Sequence, residues 1–261
     1  MVTDDPAVHK QVLDQVSRLI PDLSLTASPP QIAHAIHKMI RPFAPDIDPY
    51  RNIKDISNRQ ALAWLPRLRS DVQSADDPLE RALRYAIAGN VIDYGPQHSF
   101  DLAQELSSAA TQPFGIFDYS EFQKAVGNAD TVLYLGDNAG EIVFDTLLIE
   151  TMDKPVTFVV RGGPVINDAT AVDAKTVGLD QVAEVVDNGS IAPGTLLDDC
   201  SDNFLDRFWK ADCVVAKGQG NYESLSEAGR PILFLFKAKC HVIANDAGVN
   251  VGDFVLKLGG V

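Results

Sequence analysis

The chain has 261 residues, of which 46% are hydrophobic and 22% charged, a composition that excludes a disordered protein and allows one large or two modest domains. Its formal net charge of −14 argues against a nucleic-acid partner or an anionic membrane surface, although a local basic pocket could still hold a small phosphate. Three cysteines without metal-type spacing, no basic-then-apolar leader and no apolar run of membrane-spanning length predict a reduced, cytoplasmic protein.

The first 125 residues show the periodicity of amphipathic helices. Two apolar stripes come first, one made of Val8, Val12, Val16, Leu19 and Ile20, and the other, after Pro29 and Pro30, made of Ile32, Ala35, Ile36, Met39 and Ile40. Pro66 should kink or split a third helix over residues 61–72. Asp77 and Pro78 are typical of the start of a fourth helix, whose face stays apolar until Asn90. We predict a helical domain over residues 1–125.

Strand and helix patterns alternate over the remaining residues, 126–261. The candidate strands cover residues 131–135, 156–160, 182–186, 213–216 and 232–236, and the candidate helices cover residues 141–152, 168–176 and 202–209. The last three residues, 259–261, should form a loose tail. This order predicts an α/β fold in which a Rossmann-like parallel-sheet domain follows the helical N-terminal domain.

Polar side chains follow the predicted strands where each one ends. They are Asp137, Asn138 and Glu141 after the first strand, Asp168 after the second, Lys217 and Asn221 after a later strand, and Lys237 and Lys239 after the last. Because the carboxyl ends of parallel strands lie at one edge of a sheet, these residues should meet. Carboxylate and amide oxygens suit a divalent cation, while lysines and the N–H groups after Gly140 suit a phosphate. The pattern favours a cation that holds a phosphoryl group.

These residues also have purely structural interpretations. Asp137 and Asn138 could form only a strand-to-helix turn, and Asp168 could only cap its helix. The lysines could be solvated. Their shared position at strand ends favours the functional interpretation of all of them together.

Other polar residues give weaker signals. Asn90 and Asp93 lie one helical turn apart, where they could line a cleft from the helical domain or simply satisfy a helix end. His34 and His37 lie off the apolar stripe and are expected at the surface. Cys240 has no histidine partner except its sequence neighbour, so we expect an inert thiol.

Six segments of the chain resemble a known family. They are residues 136–145, which begin Gly-Asp-Asn-Ala-Gly-Glu, and residues 161–170, 187–190, 217–223 and 237–240, with residues 88–93 upstream. In order and spacing these motifs resemble the damage-control phosphatases, formerly domain of unknown function 89, and in particular their stand-alone microbial branch. The resemblance spans roughly residue 88 to the C-terminus.

The resemblance implies a helical domain on a Rossmann-like domain, and hydrolysis of small phosphorylated metabolites such as sugar phosphates or phosphopantetheine and its damaged forms. It implies a divalent metal ion (magnesium, manganese, cobalt or nickel) held by the residues matching Asp137, Asn138 and Asp168. It also implies a phosphate-binding lysine, which we place at Lys237, with Lys239 as the alternative. The expected substrate-binding residues are Asn90, Asp93, Gly140, Lys217, Asn221 and Lys239. Glu141 could orient or deprotonate water, or cap its helix.

The chain departs from many members of this branch in one respect. No cysteine precedes Cys200, so the Cys-x-x-Cys that those members carry near the N-terminus is absent. Two other functions compete: an S-adenosylmethionine-dependent carboxyl methyltransferase, an activity ascribed to a eukaryotic relative, and a non-catalytic binder of a phosphorylated metabolite. The methyltransferase is disfavoured because a nucleoside site on this fold would place an acidic ribose ligand where this chain has Arg161.

Overall fold

The computed structural model describes residues 3–43, 47–91, 104 and 106–261. The helices with defined bounds are α1 (Pro6–Leu19), α2 (Pro29–Ile40), α3 (Arg51–Ser74), α4 (Pro78–Ala88), α5 (Tyr119–Asn128), α6 (Glu141–Met152), α7 (Ala171–Thr176), α8 (Asp202–Lys210), α9 (Gln219–Leu225) and α10 (His241–Ala247). The strands are β1 (Phe114–Phe117), β2 (Val132–Leu135), β3 (Val156–Val160), β4 (Glu184–Asp187), β5 (Cys213–Lys217), β6 (Ile232–Lys237) and β7 (Phe254–Gly259). Among these described residues, no helix has the length and apolar character needed to cross a membrane.

All seven strands form one sheet, with the order β1-β7-β6-β5-β2-β3-β4. Strands β2 to β6 are parallel to one another. Strand β7 is antiparallel to β6 and parallel to β1. The chain leaves β2 toward β3 and β4 on one side, and later returns to β5 on the other side of β2. In sheets of this kind the ligand crevice lies at such a reversal of strand order. The carboxyl ends of β2 and β5 therefore mark where a site is expected.

Two strands were not predicted from the sequence. The first, β1, has four residues of alternating partial exposure and lies in the segment assigned to helices. The second, β7, reaches Gly259, and the carbonyl of Gly260 accepts a hydrogen bond from Arg230 N, so these two residues do not form a loose tail. Both strands gain their hydrogen bonds from distant partners, which local patterns do not reveal. The domain boundary proposed at residue 125 stays a prediction, and β1 precedes it.

Helices cover both faces of the sheet because each central strand alternates between two apolar clusters. Tyr134 packs with Phe144 of α6 on one face, and Leu135 packs with Phe208 of α8 on the other. Almost every residue of α6 is buried, because the helix lies between the sheet and the N-terminal helices α3 and α4. An all-round apolar helix is typical of this position. The N-terminal helices α3 and α4 are therefore packed against α6, which covers one face of the sheet.

Two predicted helix boundaries were wrong. Pro66 does not split its helix, because α3 runs unbroken from Arg51 to Ser74 and its buried residues Leu68 and Val72 pack in the shared core beyond the proline. The helix expected to begin at Asp168 begins at Ala171 instead, since Asp168 takes part in a backbone bridge with another loop. That bridge positions the candidate site.

Candidate active site

The loops after β2 and β3 are joined by backbone hydrogen bonds. Asn138 and Asp168 form an isolated antiparallel bridge. Ala169 N donates to Asp137 O at 2.8 Å, and Ala139 N donates to Asn167 O at 2.9 Å. The structure thus brings together the three residues predicted to bind metal, although they are up to 31 positions apart in the sequence.

Arg161, at the end of β3, holds the two aspartates. Its Nε donates to Asp168 Oδ2 at 2.7 Å, and its Nη2 lies 3.7 Å from Asp137 Oδ1. Burial raises the pKa of Asp137 well above its usual range, and the charges of Glu141 and Asp168 raise it further, while Arg161 lowers it only in part. Burial and the two neighbouring carboxylates therefore disfavour the charged form of Asp137 more than Arg161 favours it.

Glu141 sets the orientation of two amides. Its Oε2 accepts hydrogen bonds from Asn90 Nδ2 at 2.7 Å and from Asn138 Nδ2 at 3.2 Å. The same amide nitrogens donate to Asp137 Oδ2, at 3.1 Å and 2.9 Å. With its nitrogen held between two carboxylates, Asn138 keeps its Oδ1 for another partner. The predicted place of Asn90 beside the strand-end residues agrees with these contacts.

Lys217 lies beneath the site and does not face it. The ammonium group is completely buried and donates to Ala86 O, Glu141 Oε1 and Asp145 Oδ1, each at 2.7 Å. An ammonium has three protons, so these acceptors use all of them. These contacts do not support the prediction that Lys217 binds substrate, which stays untested. Its contacts instead fix the Glu141 carboxylate, and Tyr134 OH donates to the far end of the same network at Asp145 Oδ1.

Two further residues expected to bind substrate form hydrogen bonds within the protein. Asn221 is buried, donates to Gly136 O and Lys217 O, and accepts from Thr195 Oγ1. The N–H of Gly140 donates to Asn58 Oδ1 at 2.7 Å. The donors and acceptors concerned thus have protein partners, and the assignment of both residues to substrate binding stays a prediction.

The start of α6 is likewise less available to a phosphate than the sequence indicated. Ile142 N donates to Asn138 O and Val143 N donates to Gly140 O. Together with the bond from Gly140 to Asn58, these contacts satisfy N–H groups that a helix N-terminus otherwise presents to anions. The N–H groups of Gly140, Ile142 and Val143 therefore already have protein partners.

Gly218, at the end of β5, is required by close packing against the site. A Cβ at this position would lie 1.9 Å from Asp137 Oδ2, and the backbone φ of +80° is itself unfavourable for other residues. The loop after β5 therefore forms a wall directly against the Asp137 carboxylate. This contact places the aspartate at the crevice between β2 and β5.

The two lysines after β6 differ in their surroundings. Lys237 Nζ lies 6.0 Å from the ring centre of Phe254, whereas the charge of Lys239 is among those that lower the pKa of Asp137. Lys239 is exposed, and its backbone N–H donates to Gln219 Oε1 at 3.1 Å. Of the two lysines, Lys239 is thus the one whose charge lowers the pKa of Asp137, and which of them binds phosphate stays a prediction.

The remaining predicted residues are not part of this cluster. Asp93 lies outside the described residues. His34 is not a surface residue as expected: it is partly buried, and its Nε2 lies 3.2 Å from Asp199 Oδ1. His37 is also partly buried, and burial lowers its pKa. Cys240 is half-buried beside Gln219, whose Nε2 lies 3.6 Å from the thiol sulfur.

Several site residues were not predicted at all. Arg161 is neither a metal ligand nor a nucleophile, Asn58 lies far from the strand ends in the sequence, and Asp145 lies inside a helix whose sequence is mostly apolar. Asp173 accepts from Asn58 and Thr170 and forms ion pairs with the buried Lys54, which ties α3 to the loop that carries Asp168. A buried charge in an apolar pattern is the one sequence signal that could have indicated such a network.

The donor set has the chemistry of a divalent cation site. Within the part of the chain that the structure describes, no three His, Cys, Asp or Glu side chains form a group that could hold a metal ion. Asp137 and Asp168 supply only two carboxylates, so a cation here depends on the amide oxygen of Asn138 as a third ligand. Such hard oxygen donors fit Mg²⁺ or a similar ion. Burial raises the pKa of Asp137, Glu141 and Asp168 raise it further, and a cation bound here would favour the charged form of this carboxyl.

Comparisons with known proteins show the family of this chain. Residues 1–255 match the model of the damage-control phosphatase ARMT1-like domain. The chain is 36% identical to a damage-control phosphatase of Archaeoglobus fulgidus, covering 99% of this chain and 92% of that protein. It is also 36% identical to an uncharacterized protein of Methanocaldococcus jannaschii, covering 98% and 88%.

A solved structure shows the same fold. The crystal structure of a duf89 family protein from Pyrococcus horikoshii superposes with a TM-score of 0.88 at 31% sequence identity, covering 99% of this chain and 92% of that one. The same Pyrococcus horikoshii protein, compared by sequence under the name damage-control phosphatase, is 32% identical over 98% of this chain and 90% of its own length. The near-complete coverage extends the resemblance from residue 88 back through the N-terminal helices. The chain belongs to the damage-control phosphatase ARMT1-like family.

Proposed function

We propose that this protein hydrolyses small phosphate monoesters with the help of a divalent cation. The observation that carries the proposal is the convergence of Asp137, Asn138 and Asp168 at the reversal of strand order, under the positive charge of Arg161. Relatives named damage-control phosphatases support a phosphatase activity. Sugar phosphates and phosphopantetheine-like metabolites are proposed substrates, and magnesium, manganese, cobalt or nickel the proposed ion.

The two aspartates and Asn138 would hold the cation. A cation bound there neutralises charge on the phosphoryl group and lowers the pKa of a coordinated water. Arg161 keeps the aspartates in place and supplies positive charge beside them. Lys239 is exposed close enough to influence Asp137, so it would contact a phosphate oxygen from the solvent side.

We assign Glu141 a positioning role and not that of the proton acceptor. Its side chain is fully buried, Oε1 accepts from Lys217, and Oε2 accepts from both Asn90 and Asn138. A general base needs a free oxygen within reach of the attacking water. Glu141 instead directs the Asn138 amide so that its oxygen faces the proposed cation.

A phosphate-release assay tests the proposal. Metal-free protein is given sugar phosphates, nucleotides and phosphopantetheine, with each of the four metals and with a chelator. We expect release only with metal. A protein that binds these compounds tightly without turnover would support the non-catalytic binder instead, and saturable binding of S-adenosylmethionine by calorimetry would support the methyltransferase.

The choice between the two lysines gives a separate prediction. Lys239→Ala is expected to lower kcat/KM by about thirty- to a thousandfold, since one charged contact to a phosphoryl oxygen contributes ~2–4 kcal/mol to transition-state stabilisation. Lys237→Ala should have the smaller effect, because its ammonium lies against the Phe254 ring. Steady-state kinetics of both variants decide the matter, and a larger loss in Lys237→Ala would restore the assignment made from the sequence.

A further inference from the structure

Helix α3 buries polar residues near its start and apolar residues further along. Lys54, Ser57 and Asn58 are buried near the start, whereas Leu68 and Val72 lie in the shared apolar core. A buried polar side chain costs stability unless it is hydrogen-bonded. The polar residues at the start of α3 therefore need partners, and two of these partners lie in the candidate site.

The amide of Asn58 connects the two segments that carry the proposed cation ligands. Its Oδ1 accepts a hydrogen bond from Gly140 N, in the loop after β2, at 2.7 Å. Its Nδ2 donates to Asp173 Oδ1 at 3.2 Å, in the first turn of α7, which follows the loop after β3. The side chain of Asn58 is fully buried. One amide group is thus shared between the segments that follow two different strands.

The orientation of this amide is fixed by the chemistry of its partners. A backbone N–H can only donate, so Gly140 faces the amide oxygen of Asn58. Burial alone would raise the pKa of Asp173, but Lys54 and Thr170 lower it below its ordinary value, so this carboxyl is ionised. An ionised carboxylate can only accept, so it faces the amide nitrogen. An apolar side chain at position 58 could make neither contact.

On one side, the contacts of Asn58 lead to Asn138. Gly140 directly precedes Glu141, the first residue of α6. The Oε2 atom of Glu141 accepts from Asn138 Nδ2 at 3.2 Å and so orients that amide. The hydrogen bond between Gly140 and Asn58 therefore holds the start of the helix whose first side chain directs Asn138.

On the other side, the contacts lead to Asp168. The Oδ2 atom of Asp173 accepts from the backbone N–H of Thr170 at 3.0 Å and from its hydroxyl at 2.7 Å. Thr170 comes two positions after Asp168 in the sequence. Asp173 also forms an ion pair with Lys54 of α3, at 3.0 Å. Helix α3 therefore holds the segment that directly follows Asp168.

We propose that Asn58 is a positioning residue of the cation site, and that its amide sets the separation between Asn138 and Asp168 from the side of the N-terminal helices. The inference rests on the proposed function. The backbone bridge between Asn138 and Asp168 joins the two loops at the ligands themselves. Asn58 joins them where they enter α6 and α7. Helix α3 thus takes part in metal binding although it supplies none of the proposed ligands.

Calorimetric titration of the metal-free protein with Mn²⁺ tests the proposal. Asn58→Leu keeps the branched shape of the side chain and removes both hydrogen bonds, while Asp173 keeps its contacts with Lys54 and Thr170. We expect this variant to bind Mn²⁺ about ten- to a hundredfold more weakly than the parent, the usual effect of removing a group that orients metal ligands. An unchanged dissociation constant would overturn the proposal. If Asn58→Leu does not fold, the smaller Asn58→Ala decides in its place.

Leu68→Ala, on the same helix, is the matched control. Leu68 is buried in the shared core, so its truncation removes packing but no side-chain hydrogen bond. In urea unfolding it should lose stability, as Asn58→Leu does, but it should bind Mn²⁺ with the affinity of the parent. Equal weakening of Mn²⁺ binding in Leu68→Ala and Asn58→Leu would mean that the effect reflects general stability, and would overturn the proposal.

Three outcomes separate this inference from the proposed function. If the parent binds Mn²⁺ but releases no phosphate, the proposed function fails, and the affinity of Asn58→Leu for Mn²⁺ still decides the inference. If the parent releases phosphate with metal and Asn58→Leu binds Mn²⁺ as tightly as the parent, the inference alone is wrong. A parent protein that does not bind Mn²⁺ overturns both.

Discussion

Asp137→Asn is expected to lower kcat/KM for phosphate release by at least a thousandfold, which corresponds to ~4 kcal/mol of transition-state stabilisation. Asparagine keeps the shape of the side chain and an oxygen that can accept from Asn90 and Asn138, as Asp137 Oδ2 does. It lacks the formal charge that a hard cation requires from this ligand. The loss is measured at increasing concentrations of each metal, so that weaker metal binding is separated from slower turnover.

The same variant should stay folded, and without metal its free energy of unfolding at pH 7 should be equal to or greater than that of the parent. Burial, Glu141 and Asp168 raise the pKa of Asp137. A carboxyl whose folded pKa lies above its unfolded value reduces stability at any pH above that unfolded value, so removing its charge does not destabilise the protein. Urea unfolding in the presence of a chelator measures this.

Asp180→Asn, at an exposed position, is the matched control and should retain full activity. A parallel fall of stability and activity in Asp137→Asn would mean that the carboxylate is structural. Asp168→Asn should also lose activity, but it is the less clean test. Its substitution weakens a buried contact with Arg161 at 2.7 Å, so part of any loss would come from the arginine.

Lys217→Met is expected to lower the free energy of unfolding by about 3–5 kcal/mol, the usual cost of removing one partner from a buried ion pair. Burial alone would lower the pKa of Lys217, but Asp145 and Glu141 raise it above the ordinary value, so the ammonium is charged. Methionine fills similar space and leaves both carboxylates buried without a counter-ion. Urea unfolding at pH 7 is the measurement.

The pH dependence of this deficit identifies its cause. Burial raises the pKa of Asp145 to about 6 even with Lys217 present, and without the lysine it should rise further. Since the folded pKa then exceeds the unfolded one, the deficit should be large at pH 8 and shrink as the pH falls and the carboxyls take up protons. A deficit that stays constant from pH 5 to pH 8 would indicate lost packing instead. Lys239→Met, at an exposed position, should leave stability unchanged.

Local patterns in the sequence were enough for the central strands and for the residues around the proposed cation. Val132–Leu135 is a short apolar run that ends at a glycine, and Asp137 and Asn138 follow it, so strand, turn and hard oxygen ligands can all be recognised within a few positions. One topological rule predicted that Asp168 lies beside them: the carboxyl ends of parallel strands lie at the same edge of a sheet. The residues of this cluster thus depend on short-range patterns and on a rule that holds for the fold class.

Only the tertiary structure decided which polar residues are free to act. Gly140 follows β2, as Asp137 does, while Lys217 ends β5 and Asn221 follows it. The donors of all three are used within the protein, by Asn58, Asp145 and Gly136 respectively.

The sequence determined the α/β class, the strand-end carboxylates and the family resemblance, because each depends on spacing along the chain. Hydrogen-bond partners and the strands β1 and β7 depend on contacts between segments that lie far apart in the sequence, and only folding brings these together.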